Sequence, residues 1–296
     1  MRPLALFAIA ISVACGGAGV DRVSVMGVDR LSGELSSQEV ELPNADLSAV
    51  RGPAAMMVVG ATIDGARVSG GQPPECALRR KVNGALVART AGCVNLLGQY
   101  AAMEKARQFL LSAGAESLLP APVLADSAVP GLHYVPAADA FTLGDGPSGA
   151  RVPAGNNVGA VAREMALRQL KSQQQQVAAG VALFLGAAAA FDPGYLASSD
   201  PSGDPTGSLD LAAPLPAEAS SSAVLAGALW SWADASGDPL GASRAALAAA
   251  RALGSVQADP AAVLSLVAAQ LNGAERDQAC AVFRARLHAT DIQACP

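Results

Sequence analysis

The chain has 296 residues and a mass of 29.5 kDa, with 51% apolar and 15% charged residues, enough to bury a core in one large domain or two lobes and to exclude a disordered chain. A net charge of −5 from 20 basic and 25 acidic residues, with no long basic run, excludes the phosphate-binding stripe that a nucleic-acid partner needs. Only two histidines are present, His133 and His288, too few and too far apart for a multi-histidine metal cage.

Residues 1–14 begin with a single positive charge, Arg2, and continue as an uncharged apolar run from Leu4 to Ala14, which reads as a signal peptide. Ser12-Val13-Ala14-Cys15 resembles the lipobox of bacterial lipoproteins, with Ser12 standing where that box usually has leucine. The resemblance implies acylation of Cys15 and a membrane partner reached through that lipid anchor. Ordinary cleavage after the small residues would instead leave Cys15 as a free thiol. Parity favours acylation, because five cysteines less Cys15 leave Cys76, Cys93, Cys280 and Cys295, an even number for an oxidising compartment. Pairing Cys76 with Cys93 and Cys280 with Cys295 closes short local loops, each bridge contributing about 3 kcal/mol in the chain-entropy model. No pair has C-x-x-C spacing and His288 is the one histidine near any of them, so no zinc site and no cofactor are expected.

In chain order, residues 15–52 are rich in Gly, Ser and acidic residues and read as a lipid-anchored tether running into a first strand. A strand at 54–59, a turn at Ile63-Asp64-Gly65-Ala66 and a second strand near 85–87 follow. Helical spacing of Leu97, Tyr100, Ala101, Ala106, Phe109 and Leu110 predicts a helix over 96–113 that Gly114 stops. After a proline-rich connection come short strands at 132–135 and 140–143, the second ending in Gly144-Asp145-Gly146. From there helical patterns follow one another at 157–170, 177–190, 221–232, 241–253, 260–271 and 275–288. The predicted fold is therefore α+β, a small mixed β-sheet lobe over 53–150 followed by a mainly α-helical lobe over 151–296. The uncharged run 177–191 is short of the roughly twenty residues that span a bilayer and reads as a buried core helix. Residues 198–208 read as a surface loop and 173–176 as a solvated turn.

Several stretches stand in a recognisable order. Tyr100, Ala106 and Phe109-Leu110 on one helix precede Asp139-Ala140-Phe141 on a strand, then Ala160-Val161-Ala162-Arg163-Glu164-Met165-Ala166-Leu167 and Ala179-Gly180-Val181-Ala182-Leu183 on two helices, with Gly227-Ala228-Leu229-Trp230 downstream. Over roughly residues 95–290 this order resembles the thermolysin- and fungalysin-like zinc metallopeptidases, the gluzincins. In active members two histidines one helical turn apart bind Zn²⁺, a glutamate on the next helix completes the protein ligands, and the glutamate after the first histidine is general base.

Matched residue by residue, the resemblance places Arg163 and Leu167 at the histidine positions, Ala179 at the third ligand and Leu183 at the aspartate that supports the first ligands. Arg163 does not give up its proton, Leu167 has no lone pair and Ala179 has no donor atom. Only Glu164 survives, at the general-base position. His133 and His288 do not substitute, and no histidine lies near residues 220–222. The resemblance thus implies a pseudopeptidase without a catalytic residue. It also implies a relic cleft formed by Arg163, Glu164, Leu167 and Ala179, with Ala140 and Phe141 on an edge strand offering backbone groups to an extended peptide or partner loop.

Two other readings stand beside this one. The 157–170 segment also reads as an amphipathic helix that buries Val158, Val161, Ala162, Met165 and Leu170 and solvates Arg163, Glu164 and Arg168, with Glu164 and Arg168 as a surface pair. The whole chain is then a helical cell-envelope interaction module unrelated to peptidases, or an active hydrolase with an unrecognised site. Gly144-Asp145-Gly146-Pro147-Ser148-Gly149 lacks the Lys-Ser/Thr of a P-loop and reads as a turn. Asp200, Asp204 and Asp210 fit a weak Ca²⁺ site or a solvated loop. Trp230 and Trp232, two apart on a helix, predict one core and one exposed indole.

Overall fold

In a computed structural model, residues 20–29, 34–128, 131–144, 153–196, 209–215, 219–287 and 292–295 are described. The front of the chain builds two sheets. In the first, β1 (Val20–Val28) pairs antiparallel with β2 (Leu35–Pro43) from Val20↔Pro43 to Val28↔Leu35. The same strand then lies parallel to β6 (Leu86–Ala88), which carries β5 (Leu78–Arg80) on its far side, giving the order β2-β1-β6-β5. Much of the segment expected as a tether over 15–52 is thus strand. Its Ser and Glu content is that of a sheet with one wet face: Val23, Val25 and Leu42 are buried, whereas Glu39 and Glu41 stay in reach of water.

The second sheet has the order β4-β3-β7-β9-β8. The strand expected at 54–59 is β3 (Ala55–Asp64), which runs on through Ile63-Asp64 and turns at Gly65-Ala66 into β4 (Arg67–Gln72), a strand not expected there. Parallel to β3 runs β7 (Ala121–Ser127), then β9 (Ala140–Gly144) parallel to β7, and β8 (Leu132–Val135) closes the sheet antiparallel to β9. The proline-rich connection hides β7: Val123, Leu124 and Ala125 are all buried, because a central parallel strand is covered on both faces and so shows a continuous apolar run without alternation. Its insertion also moves the edge. Ala140 and Phe141, expected on an edge strand, lie in an interior one bonded on both sides, and β8 is the edge.

Between β6 and β7 in sequence, α1 (Ala91–Ser112) packs against β1, β3, β6 and the next helix. Thr90 caps its start by accepting from Cys93 N–H, and Gly114, at φ +85°, turns the chain away after its end. Cys76 is bridged to Cys93 with a Cα separation of 5.5 Å, tying the approach to β5 onto the first turn of α1.

The rear of the chain is helical: α2 (Val158–Gln169), α3 (Gln175–Ala190), α4 (Ser221–Ser236), α5 (Pro239–Leu253), α6 (Pro260–Ala269) and α7 (Gly273–Leu287). Asn157, Gln174, Ser220, Asp238 and Asp259 each accept a backbone N–H at the start of a helix, satisfying donors that the helix itself leaves over. The core helix expected at 177–190 is α3, buried along nearly its whole length. Both tryptophans are buried, against the expectation of one exposed indole, because α4 is flanked by α3, α5, α6 and α7 and has no wet face where they sit. Trp232 meets Phe283 of α7 edge to face at 5.9 Å. The second bridge joins Cys280 to Cys295. The architecture is α+β, 45% helical and 24% strand. Among the described residues no helix is long and apolar enough to cross a membrane.

Candidate functional site

The candidate site sits where α2 meets β8 on one side and α3 on the other. A short connection, residues 170–174, folds α3 back along α2. Their register is set where Gly159 faces Gly186, because a Cβ on Gly186 would lie 2.7 Å from the Gly159 carbonyl oxygen and 2.4 Å from the Tyr195 hydroxyl. Because antiparallel helices advance together, counting seven residues along α2 and seven back along α3 from this contact pairs Ala166 with Ala179, beside the turn that carries Leu167. Arg163, Leu167 and Ala179 are all half-buried. Leu183 is buried, and its carbonyl accepts the Tyr195 hydroxyl at 3.4 Å.

Glu164 is not a solvated charge. It is 5% exposed, because α2 lies against the outer edge of β8, and its Oε2 accepts the Tyr134 backbone N–H at 2.8 Å. Arg163 Nη1 is 3.7 Å from the other carboxylate oxygen. Burial pushes the Glu164 carboxyl up, opposed by the Arg163 charge, the Tyr134 N–H and His133. An edge strand offers unpaired backbone donors to any passing chain, and here the carboxylate occupies one of them. A peptide adding to this edge would have to displace Glu164, while Phe141 is paired with both neighbouring strands and Ala140 with Val135 of β8.

The expected pair between Glu164 and Arg168 gives way to a different one. Arg168 grips Asp139 through two hydrogen bonds, Nε to Oδ1 at 3.0 Å and Nη2 to Oδ2 at 2.8 Å, while Lys171 stands 3.3 Å from Oδ1 and the Tyr134 hydroxyl donates to Oδ1 at 2.8 Å. The Arg168 guanidinium holds the Asp139 carboxyl well below the usual carboxylate range. Asp139 sits in the β8–β9 turn at φ +47°, so this cluster clamps the turn onto α2. Sequence reasoning missed it. The available signal is an aspartate before a strand together with two cations three residues apart, one on the last turn of the following helix and one just beyond its end.

A concavity lies elsewhere. A groove of about 1010 Å³ is bounded by Val28, Phe109, Val158, Phe191, Tyr195 and Leu240, and none of the expected cleft residues lines it. Phe191 closes α3 in the left-handed region at φ +55° and is 59% exposed. Asp210 accepts the Ala212 N–H at 2.9 Å, a turn contact. Cys15, Asp200, Asp204, His288 and the loop beyond Gly144 lie outside the described residues. Among the described residues no three His, Cys, Asp or Glu side chains are grouped so as to hold a metal ion.

A paired substitution separates the charge of Glu164 from its hydrogen bond. Glu164→Gln retains an oxygen for Tyr134 N–H and removes the desolvated charge, so it is expected to equal or exceed the wild type in urea unfolding at pH 7. Glu164→Ala orphans the N–H and is expected to lose about 1–3 kcal/mol. Because the folded carboxyl titrates above its unfolded value, the charged form opposes folding at high pH. The advantage of the glutamine variant should therefore be greatest at high pH and vanish below the ordinary glutamate range. A glutamine variant as unstable as the alanine one would show that the charge itself is required.

With that geometry in place, comparison with known proteins adds no family: no family model matches the chain, and no curated protein matches it either.

Proposed function

We propose that the chain is an exported protein, lipid-anchored to the cell envelope at Cys15, whose body is a gluzincin-like fold that has lost its zinc ligands and acts as a non-catalytic binding or scaffold unit. The two disulfides carry the first half: bridges at Cys76–Cys93 and Cys280–Cys295 suggest an extracellular or periplasmic setting, where thiols oxidise and persist as bridges. The lipobox-like Ser12-Val13-Ala14-Cys15 supplies the anchor. For the second half, the support is that α2 and α3 lie side by side with Ala179 level with the Leu167 turn, next to an edge strand, and that none of Arg163, Leu167 and Ala179 can ligate a cation. A bound peptide or partner loop would then meet the side chains of these three residues. The interior place of β9 favours a second reading, an envelope interaction module with no peptidase ancestry.

The combined variant Arg163→His, Leu167→His and Ala179→Glu tests the ancestry. It is expected to bind Zn²⁺ in a chelator-competition titration while keeping the wild-type circular dichroism, since the helix pair would already converge on the metal. A folded triple variant with unchanged Zn²⁺ affinity would sink the gluzincin reading. Chelator-sensitive cleavage of casein by the wild-type protein would sink the non-catalytic one.

A further inference from the structure

Three features meet at one end of the β2-β1-β6-β5 sheet. β1 starts there at Val20, β2 ends there at Pro43, and the turn joining β5 to β6 lies alongside, since Val23 is in register with Leu86 and Arg22 donates a hydrogen bond to the Asn83 carbonyl. That turn, residues 81–84, is closed by Gly84 N–H to the Lys81 carbonyl at 3.0 Å and Lys81 N–H to the Ala85 carbonyl at 2.7 Å, with Gly84 at φ +86°. Turn tips favour Gly, Asn, Asp, Ser and Pro. Here Val82 occupies the tip and is fully exposed, and Val20 beside it is 55% exposed. Arg80 leads into the tip and donates from Nη1 to the Gly84 carbonyl at 2.7 Å, Lys81 Nζ turns back to Ser24 Oγ at 2.9 Å, and Arg22 stands next to the tip. Glu39 neutralises part of this charge, at 3.4 Å from Arg22 and 3.8 Å from Lys81.

The chain between Cys15 and Val20 fixes what this end can face. Five residue steps reach at most about 18 Å even when fully extended. If Cys15 is acylated, as the proposed lipid anchoring on which this inference rests requires, the Val20 end of the sheet is held within that distance of the headgroups. We infer that the 81–84 turn docks on the phospholipid leaflet in which Cys15 is anchored, with Val82 entering the boundary between headgroups and acyl chains and the Arg80 guanidinium, held at the base of the turn by the Gly84 carbonyl, facing lipid phosphates. An apolar tip with a cation at its base is the pattern of an interfacial contact. The contact need not be strong, because the anchor supplies a high effective concentration of the surface at the turn.

The test uses the full chain purified from membranes and reconstituted into phosphatidylethanolamine–phosphatidylglycerol vesicles, with an environment-sensitive fluorophore on Val82→Cys or, as the control, on Val256→Cys. Val256 is also exposed, at 64%, and lies between α5 and α6. Spin-labelled lipids should quench the fluorophore at 82 several-fold more than at 256, with a blue-shifted emission at 82, in protein whose intact mass carries acyl groups on Cys15. Equal, water-like emission at both positions in acylated protein would overturn the docking surface and leave the anchor standing. A mature mass without acyl groups would overturn the anchor, and the docking inference with it.

Discussion

Gly186→Ala is expected to destabilise the protein by up to about 3 kcal/mol, although an alanine in the middle of a helix ordinarily stabilises it by roughly 0.5–1 kcal/mol over glycine. The reversal comes from the α2–α3 contact. The new Cβ would fall 2.7 Å from a backbone oxygen, that of Gly159, and 2.4 Å from the Tyr195 hydroxyl, and a backbone oxygen held within a capped helix yields little. Gly159→Ala should act the same way, with its Cβ 2.5 Å from the Tyr195 ring and 2.9 Å from the Gly186 carbonyl oxygen. Because both strain one contact, the double variant should cost less than the sum of the two. Urea midpoints decide the matter, and an unchanged or raised midpoint for Gly186→Ala would mean that the helices can part without cost.

Loss of the second disulfide should be of similar size. Replacing both Cys280 and Cys295 by serine frees a loop with a sequence separation of 15, expected to lower stability by about 3 kcal/mol. The bridge does more than limit the unfolded chain. It holds residues 292–295 against α7, where Ile292 is buried and Arg284 Nη2 donates to the Cys295 carbonyl at 2.8 Å. Thermal melts of the serine variant against the wild type, each with and without reductant, test this. A wild-type melt that reductant leaves unchanged while the bridge is demonstrably open would show that the tail docks without it.

The helical half was legible in the sequence because each helix carries its own punctuation. Ser220, Asp238 and Asp259 stand at helix starts, Gly237 and Gly254 at ends, and the apolar spacing between them is periodic. The strands were legible where they alternate or flank a tight turn, as at Asp64-Gly65, and illegible otherwise. β1 and β2 look like a polar linker because their wet face is written in Ser, Gln and Glu. β7 looks like a connection because Pro120 and Pro122 precede its apolar run. That one omission displaced β9 from the interior to the edge, and with it the backbone assigned to a peptide. At the site, Glu164 was found from its place in the helix, but its burial depends on β8, some thirty residues earlier. Asp139, Arg168, Lys171 and Tyr134 converge across a similar gap, and no spacing rule within one element marks such a cluster.

The full-length pairing of β1 has a mechanical consequence. A tension on the chain upstream of Val20 that acts along the axis of this strand meets β2 over all its residues and β6 at Val23 and Ser24. A force in that direction tries to slide β1 past its neighbours and so loads the crosswise hydrogen bonds of the ladder together, in shear. Peeling them one at a time would need a pull at right angles to the strand. Among the described residues, the first strand is therefore held so as to resist a pull along its own length.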